Sequence, residues 1–203
     1  MILVVCALRS ELRFYTPHPA VSVLAGGVGP VESAIAVAYE LSRVRYAAVV
    51  HAGLAGAYRD SARVGDARLV THDALADLGL EGGGVPSLPE GTLVDQADAD
   101  PGLLRRLSDI VPHASGLTVA TITTTEHTGA RLRARYAHDV ETMEGFAVLR
   151  AAAVARIPAV GVRGISNYVG DRATSEWNFS AGAQATANAL ETVVARLIAT
   201  EHG

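Results

Sequence analysis

Three nearly unbroken apolar runs constrain this chain more than anything else in it: MILVVCAL at the N-terminus, YAAVVHAG from Tyr46 and AVGVRGIS from Ala159. A strand with one wet face alternates apolar and polar residues, whereas a strand buried on both faces reads as a continuous Val/Ile/Leu/Ala run. Such strands need cover on each side, and the segments between them supply it. In VESAIAVAYELSRV, Val31, Ile35, Ala38 and Leu41 recur at helical spacing. MEGFAVLRAAAVARI from Met143 is a second helix, stopped by Pro158. PGLLRRLSDIV is a short one with Pro101 in its first turn, and SAGAQATANALETVVARLIAT is a long one with Ser180 as the expected N-cap. AVSVLAG, RVGDARLVTHDAL and GLTVATITT add further strands. The alternation predicts an α/β fold: a single-domain three-layer sandwich over residues 1–203, its central sheet mostly parallel or mixed. The Gly-, Pro- and Asp-rich stretch from Leu78 to Pro101 reads as a surface excursion within that domain.

Charge and composition exclude several classes of function. The net charge is −4, and the 17 basic residues, all arginine, are scattered in ones and twos. Nucleic-acid binding needs a clustered basic surface, so no nucleic-acid partner is expected. No segment approaches the roughly 18 uninterrupted apolar residues of a spanning helix, and the N-terminus lacks a signal peptide's basic region. A cytoplasmic protein without a membrane partner is therefore expected. The single cysteine, Cys6, lies in an apolar run and reads as a core thiol. The seven histidines show neither H-x-x-x-H nor H-E-x-x-H spacing, so neither a metal nor another cofactor is expected. GGVGPVES lacks the dinucleotide fingerprint, and there is no G-x-S-x-G elbow.

In a sheet of this kind, ligands bind beyond the carboxyl ends of the strands. That rule selects Glu11 after the first strand, Gly53 and Leu54 in the turn after the third, and Thr124 in TTTEH. It also selects the helix start at Met143–Glu144, and Ser166–Asn167 at the end of the last strand, which carries Arg163. A rim carboxylate with limited access to water, such as Glu11, is a usable general base; a solvated residue in a helical first turn is the plainer reading. Glu144 could accept hydrogen bonds from a vicinal diol or serve only the helix N-terminus, and Glu141 is not separable from it by sequence. Trp177 and Phe179, in the polar loop TSEWNFSAG, could close over a flat ligand or simply pack on the domain surface.

HAGLAGAY, VGDARLV, VETMEGFAVLRAAA and IPAVGVRGISN together resemble, in order and spacing, the nucleoside phosphorylase/nucleosidase superfamily, over about Ile2 to Leu197. The layout is similar to its hydrolytic branch, the methylthioadenosine/adenosylhomocysteine nucleosidases, and the ending RGISNYVGDR…W is most similar to the futalosine hydrolases of menaquinone biosynthesis. The resemblance implies a nucleoside phosphorylase-like fold and cleavage of an N-ribosidic bond by water, futalosine giving hypoxanthine and dehypoxanthine futalosine. It implies Glu11 as the base on the attacking water, and Met143 and Glu144 beneath the ribose, with Glu144 holding both hydroxyls. Arg163 and Ser166 would orient the residue that contacts the purine. That residue is Asn167, where adenine-specific nucleosidases carry an aspartic acid. A homodimer or higher homo-oligomer is also implied, a neighbour's loop closing the site, with Leu78–Pro101 as the candidate. Two residues depart from the pattern: Thr142 intervenes in VETME, and Leu54 replaces a small hydroxyl residue.

The departures can be read chemically. Hypoxanthine presents acceptors at both N7 and O6, to which an amide NH₂ can donate and an ionised carboxylate cannot. Mispairing there costs about 1–3 kcal/mol. An amide has no proton to give, so water or a neighbour such as Asp171 would supply it. A phosphorylase must hold a dianion with arginines and hydroxyls; Leu54 removes a hydroxyl and Glu11 adds negative charge, which favours water as the acceptor. An unplaced arginine, Arg59 or Arg172, could meet the benzoate of futalosine. The competing readings are an adenine-releasing nucleosidase acting on aminofutalosine or methylthioadenosine, a purine nucleoside phosphorylase, and a nucleoside-binding protein without turnover.

Overall fold

The protein is described by a computed structural model covering residues 1–80 and 90–199. In chain order the elements are β1 (Ile2–Cys6), a 3-10 turn (Arg9–Leu12), β2 (Val21–Ala25), α1 (Pro30–Arg43), β3 (Ala48–Ala57), β4 (Ala67–Leu75) and β5 (Gln96–Asp98). There follow α2 (Pro101–Leu107), β6 (His113–Thr118), α3 (Glu126–Tyr136), β7 (Val140–Thr142), α4 (Gly145–Ala155), β8 (Ala159–Tyr168) and α5 (Phe179–Ala199).

The continuous apolar runs are explained by cover on both faces. Along β1, Ile2, Val4 and Cys6 pack with Leu190, Val193 and Leu197 of α5, while Leu3 and Val5 pack with Val37 of α1 and Val148 of α4. Cys6 is buried, and that burial pushes its thiol up to about 11. The strand order is β2-β1-β3-β7-β6-β4-β5, and β8 pairs with both β3 and β4. Contacts of β1 with β2 and β3, of β3 with β8, and of β6 with β4 and β7 are parallel. Those of β3 with β7, β4 with β5 and β4 with β8 are antiparallel, so the sheet is mixed. β3, β8, β4, β6 and β7 thereby close into a ring at one end of the sheet.

α5 lies close on this ring because both surfaces lack side chains where they meet. A Cβ on Gly164 of β8 would collide with the Gly182 carbonyl of α5. Thr186 Oγ1 sits 3.0 Å from the Gly53 carbonyl and 2.9 Å from that of Gly182, tying the helix to the middle of β3. That strand runs on to Ala57 because Gly53 and Leu54, expected as a turn after it, pair with β8.

Several boundaries differ from the sequence reading, each for a local reason. α5 begins at Phe179 rather than after Ser180, because Asn178 Oδ1 accepts from Ala181 N at 3.0 Å and takes the capping role. β6 stops at Thr118, leaving TITT as loop. α3, capped by Thr125, carries too few apolar residues to show a helical period. β5 and β7 are three residues each, too short for any period. Residues 81–89 of the expected Leu78–Pro101 excursion lie outside the described residues. No helix among the described residues is long and apolar enough to cross a membrane.

Candidate active site

The site starts from an irregularity where β3 meets β8. Ala55 pairs with Ile165 and Gly56 pairs with Asn167, so Ser166 is an extra residue on β8. Such a bulge re-aims side chains that a regular strand would point to opposite faces. On the other side of β3, Gly56 pairs with Glu141 of β7. Glu141 and Asn167 therefore flank Gly56 on one face, about 10 Å apart by two strand spacings. A Cβ on Gly56 would lie 2.9 Å from Asn167 Nδ2, so glycine keeps the floor between them open.

The Asn167 amide is fixed at both ends. Ser166 Oγ donates to Oδ1 at 2.8 Å, and Nδ2 donates to the Tyr168 carbonyl at 3.1 Å. That carbonyl decides which end is nitrogen, since an amide oxygen in its place would repel it. One N–H of Asn167 remains for a ligand.

Glu11 enters on the 3-10 turn that follows β1. Its Oε2 accepts from Ala7 N at 3.1 Å and Leu8 N at 3.2 Å, and its Oε1 accepts from Leu54 N at 3.4 Å. Glu144 stands at the N-cap position of α4 and its Oε1 accepts from Gly29 N at 2.9 Å. Gly29 has φ +91°, a conformation that glycine adopts without strain. Burial raises the Glu144 pKa, against the pull of the Arg163 charge and the Gly29 N–H. Glu141 accepts from Thr123 N at 3.0 Å and Thr123 Oγ1 at 2.6 Å, and burial raises its pKa also.

Glu11, Leu54, Met143, Glu144, Ser166 and Asn167 all line one cleft of about 210 Å³. Glu141 lines it as well, so the fold brings to the cleft both of the carboxylates that sequence could not separate. Trp177 and Phe179 close one side with rings 5.5 Å apart, and Val28, Val119 and Ile122 complete an apolar wall. No arginine lines the cleft among the described residues.

The remaining expected residues lie elsewhere. Arg163 is 1% exposed and sits behind the cleft, its Nη2 2.7 Å from His51 Nδ1. Burial, reinforced by that guanidinium, holds His51 well below the usual imidazole range. Gly53 is a spacer: a Cβ there would lie 2.8 Å from Arg163 Nη1 and 3.2 Å from Glu11 Oε2. Thr124 is exposed and outside the cleft; its neighbour Thr123 is the one turned inward, onto Glu141. Asp171 is also outside, its Oδ1 engaged by Ala173 N at 3.0 Å. Of the two arginines considered for a carboxylate partner, Arg172 lies over the Trp177 ring, 4.7 Å from its centroid, and Arg59 lies over Tyr168 at 4.1 Å.

The cleft thus combines carboxylates able to accept protons and hydroxyl hydrogen bonds, one fixed amide donor and an aromatic wall. A family model described as the phosphorylase superfamily matches residues 9–199. The chain belongs to this superfamily. Within the phosphorylase superfamily, the futalosine hydrolase of Thermus thermophilus is 32% identical over 185 residues, spanning 87% of this chain and 80% of the relative. That of Streptomyces coelicolor is 35% identical over 182 residues, spanning 83% and 76%. Among solved structures, the 5′-methylthioadenosine/S-adenosylhomocysteine nucleosidase of Colwellia psychrerythraea, in complex with adenine, superposes with a TM-score of 0.81 at 20% identity. It covers 97% of this chain and 95% of that one, a likeness that speaks for the fold.

Proposed function

We propose that this chain is an N-glycosyl hydrolase that cleaves futalosine with water, releasing hypoxanthine and dehypoxanthine futalosine. The observation that carries the reading is the Asn167 amide, pinned by Ser166 and Tyr168 so that it can offer a donor and never a proton. A 6-oxopurine takes up the electron pair of the breaking bond on an electronegative ring system ending in O6, so it departs as a stabilised anion. A hydrogen-bond donor suffices for such a leaving group. With one N–H held by Tyr168, the amide makes a single bond to N7 or O6 rather than the pair that a free amide NH₂ could make.

The other roles follow from position. Glu144 accepts the two ribose hydroxyls, and Met143 packs beneath the sugar. Glu11 Oε1, the less engaged oxygen, takes the proton of the water that attacks C1′ as the bond from C1′ to N9 breaks. The carboxylates favour the positive charge that develops on the sugar. Glu11, Glu141 and Glu144, with no arginine lining the cleft among the described residues, disfavour a phosphate dianion as the acceptor. The relatives named futalosine hydrolases support the choice of substrate.

Incubation with futalosine is expected to release hypoxanthine without added phosphate, followed by chromatography. Futalosine is expected to react faster than aminofutalosine, methylthioadenosine or inosine. No release by folded protein, or a strict requirement for phosphate, would overturn the reading.

The working unit is proposed to be a homodimer or larger homo-oligomer. Val31, Ile35 and Tyr39 recur every fourth residue on α1, each more than 60% exposed, and Val28 continues the apolar surface into the cleft. Light scattering behind size-exclusion chromatography should return the mass of two or more chains; the mass of one chain would contradict the assignment.

A further inference from the structure

Asp73 of β4 has no exposed surface, does not line the cleft and makes no ion pair among the described residues. A carboxyl in such a place needs a structural reason. Its surroundings supply one. Asp73 Oδ1 accepts from Thr118 Oγ1 at 2.6 Å, and Oδ2 lies 3.5 Å from Thr142 Oγ1. Each hydroxyl has one proton, and each turns its lone pair to the start of α4. Phe146 N donates to Thr118 Oγ1 at 2.8 Å, and Gly145 N donates to Thr142 Oγ1 at 3.2 Å. Thr142 Oγ1 also lies 3.4 Å from Thr118 Oγ1, whose own proton is on Asp73, so the helix amides are linked through two threonines to one carboxyl. A Cβ at Gly116 or Gly145 would collide with that carboxyl, so the sequence leaves room for it on two sides.

The first amides of a helix are ordinarily satisfied by the side chain at the N-cap. Here the N-cap is Glu144, whose side chain makes no capping bond and instead faces the cleft, bonded to Gly29. We propose that Asp73 is a positioning residue for Glu144, capping α4 through Thr118 and Thr142 so that the N-cap side chain is free for the ligand. The inference rests on the reading of Glu144 as the residue that holds the ribose hydroxyls. Burial raises the Asp73 pKa to about 7 despite the opposing pull of the Thr118 bond, the Arg163 charge, the Phe146 amide and the Thr142 bond; this is consistent with a carboxyl kept for its geometry.

The test is calorimetric binding of futalosine and of hypoxanthine, both in the Glu11→Gln background so that turnover does not intervene. Asp73→Asn places an NH₂ against a hydroxyl that now donates, breaking one relay without changing volume. Futalosine affinity is expected to fall about tenfold, the scale of one hydrogen bond made to a charged group, while hypoxanthine affinity changes less than twofold. In a Glu144→Gln background the same substitution should add less than twofold. Thr142→Val, which removes one link only, should give the same split between nucleoside and base if Asp73→Asn does not fold. Equal losses for nucleoside and base, or losses that add to those of Glu144→Gln, overturn the role of Asp73 alone. A Glu144→Gln protein with native futalosine affinity overturns the reading of Glu144 and the proposal with it.

Discussion

Glu11→Gln is expected to lower the rate of futalosine hydrolysis by about 10²- to 10⁴-fold, the usual contribution of a general base. The geometry leaves glutamine a single orientation. Ala7 N and Leu8 N both point at Oε2, so only the amide oxygen can sit there. The NH₂ is then forced to the position of Oε1, beside Leu54 N and toward the cleft. A donor replaces the acceptor that the attacking water needs. Because the two backbone bonds survive, the melting temperature should stay near that of the native protein. Single-turnover rates on folded variant check the outcome, and a rate within threefold of native would remove Glu11 from the mechanism.

Asn167→Asp should alter preference more than stability. The ratio of kcat/KM for futalosine over aminofutalosine is expected to fall about 10- to 100-fold, the cost of one mispaired buried group. Ser166 Oγ can still donate to one carboxyl oxygen, as it does to Oδ1. The other oxygen would stand where Nδ2 now meets the Tyr168 carbonyl at 3.1 Å, which favours the protonated acid. That acid has one proton, held by the Tyr168 carbonyl, so its oxygens are left to accept from the amino group of a 6-aminopurine and have no donor for O6. A 6-oxopurine gains nothing comparable. Initial rates on the two nucleosides measure the ratio directly, and an unchanged ratio would end the argument from the amide.

Much of this architecture is written locally in the chain, and the rest depends on distant pairings. β1, β3 and β8 are legible because burial on both faces leaves an unbroken apolar run, and α4 and α5 because their sequences are rich in apolar residues that pack on the sheet. α1 is legible as a helix, but Val31, Ile35 and Ala38, read as its covering face, point outward, and Val37 with Leu41 packs against the sheet instead. The ring is not legible. It requires β8 to run antiparallel to β4 across nearly a hundred residues, and β7 to pair with β3 through only two residues.

The site divides the same way. Glu11 follows a strand, Met143–Glu144 precedes a helix, and Leu54, Ser166 and Asn167 lie in the carboxyl-terminal halves of β3 and β8, so the rule that ligands gather at that rim finds residues that line the cleft. Glu141 could not be resolved from Glu144 because β7 is too short to show which way its residues face. The rim rule selects Thr124, one residue away from the inward-facing Thr123, because the loop after β6 has no periodicity to fix the facing. Arg163 sits on the right strand, but one bulge separates its environment from that of Asn167, and it turns to His51 instead. Asp73 carried no sequence signal, because its partners come from β6 and β7, and the amides they serve belong to α4.

A sheet that shuts on itself has no hinge between neighbouring strands. The carboxylate of β7 and the amide of β8 hang on either side of the same glycine of β3, and nothing in that frame can swing to meet an arriving molecule. Recognition is therefore set during folding and needs little rearrangement on encounter, so altered taste for a base has to come through exchanged side chains rather than through movement.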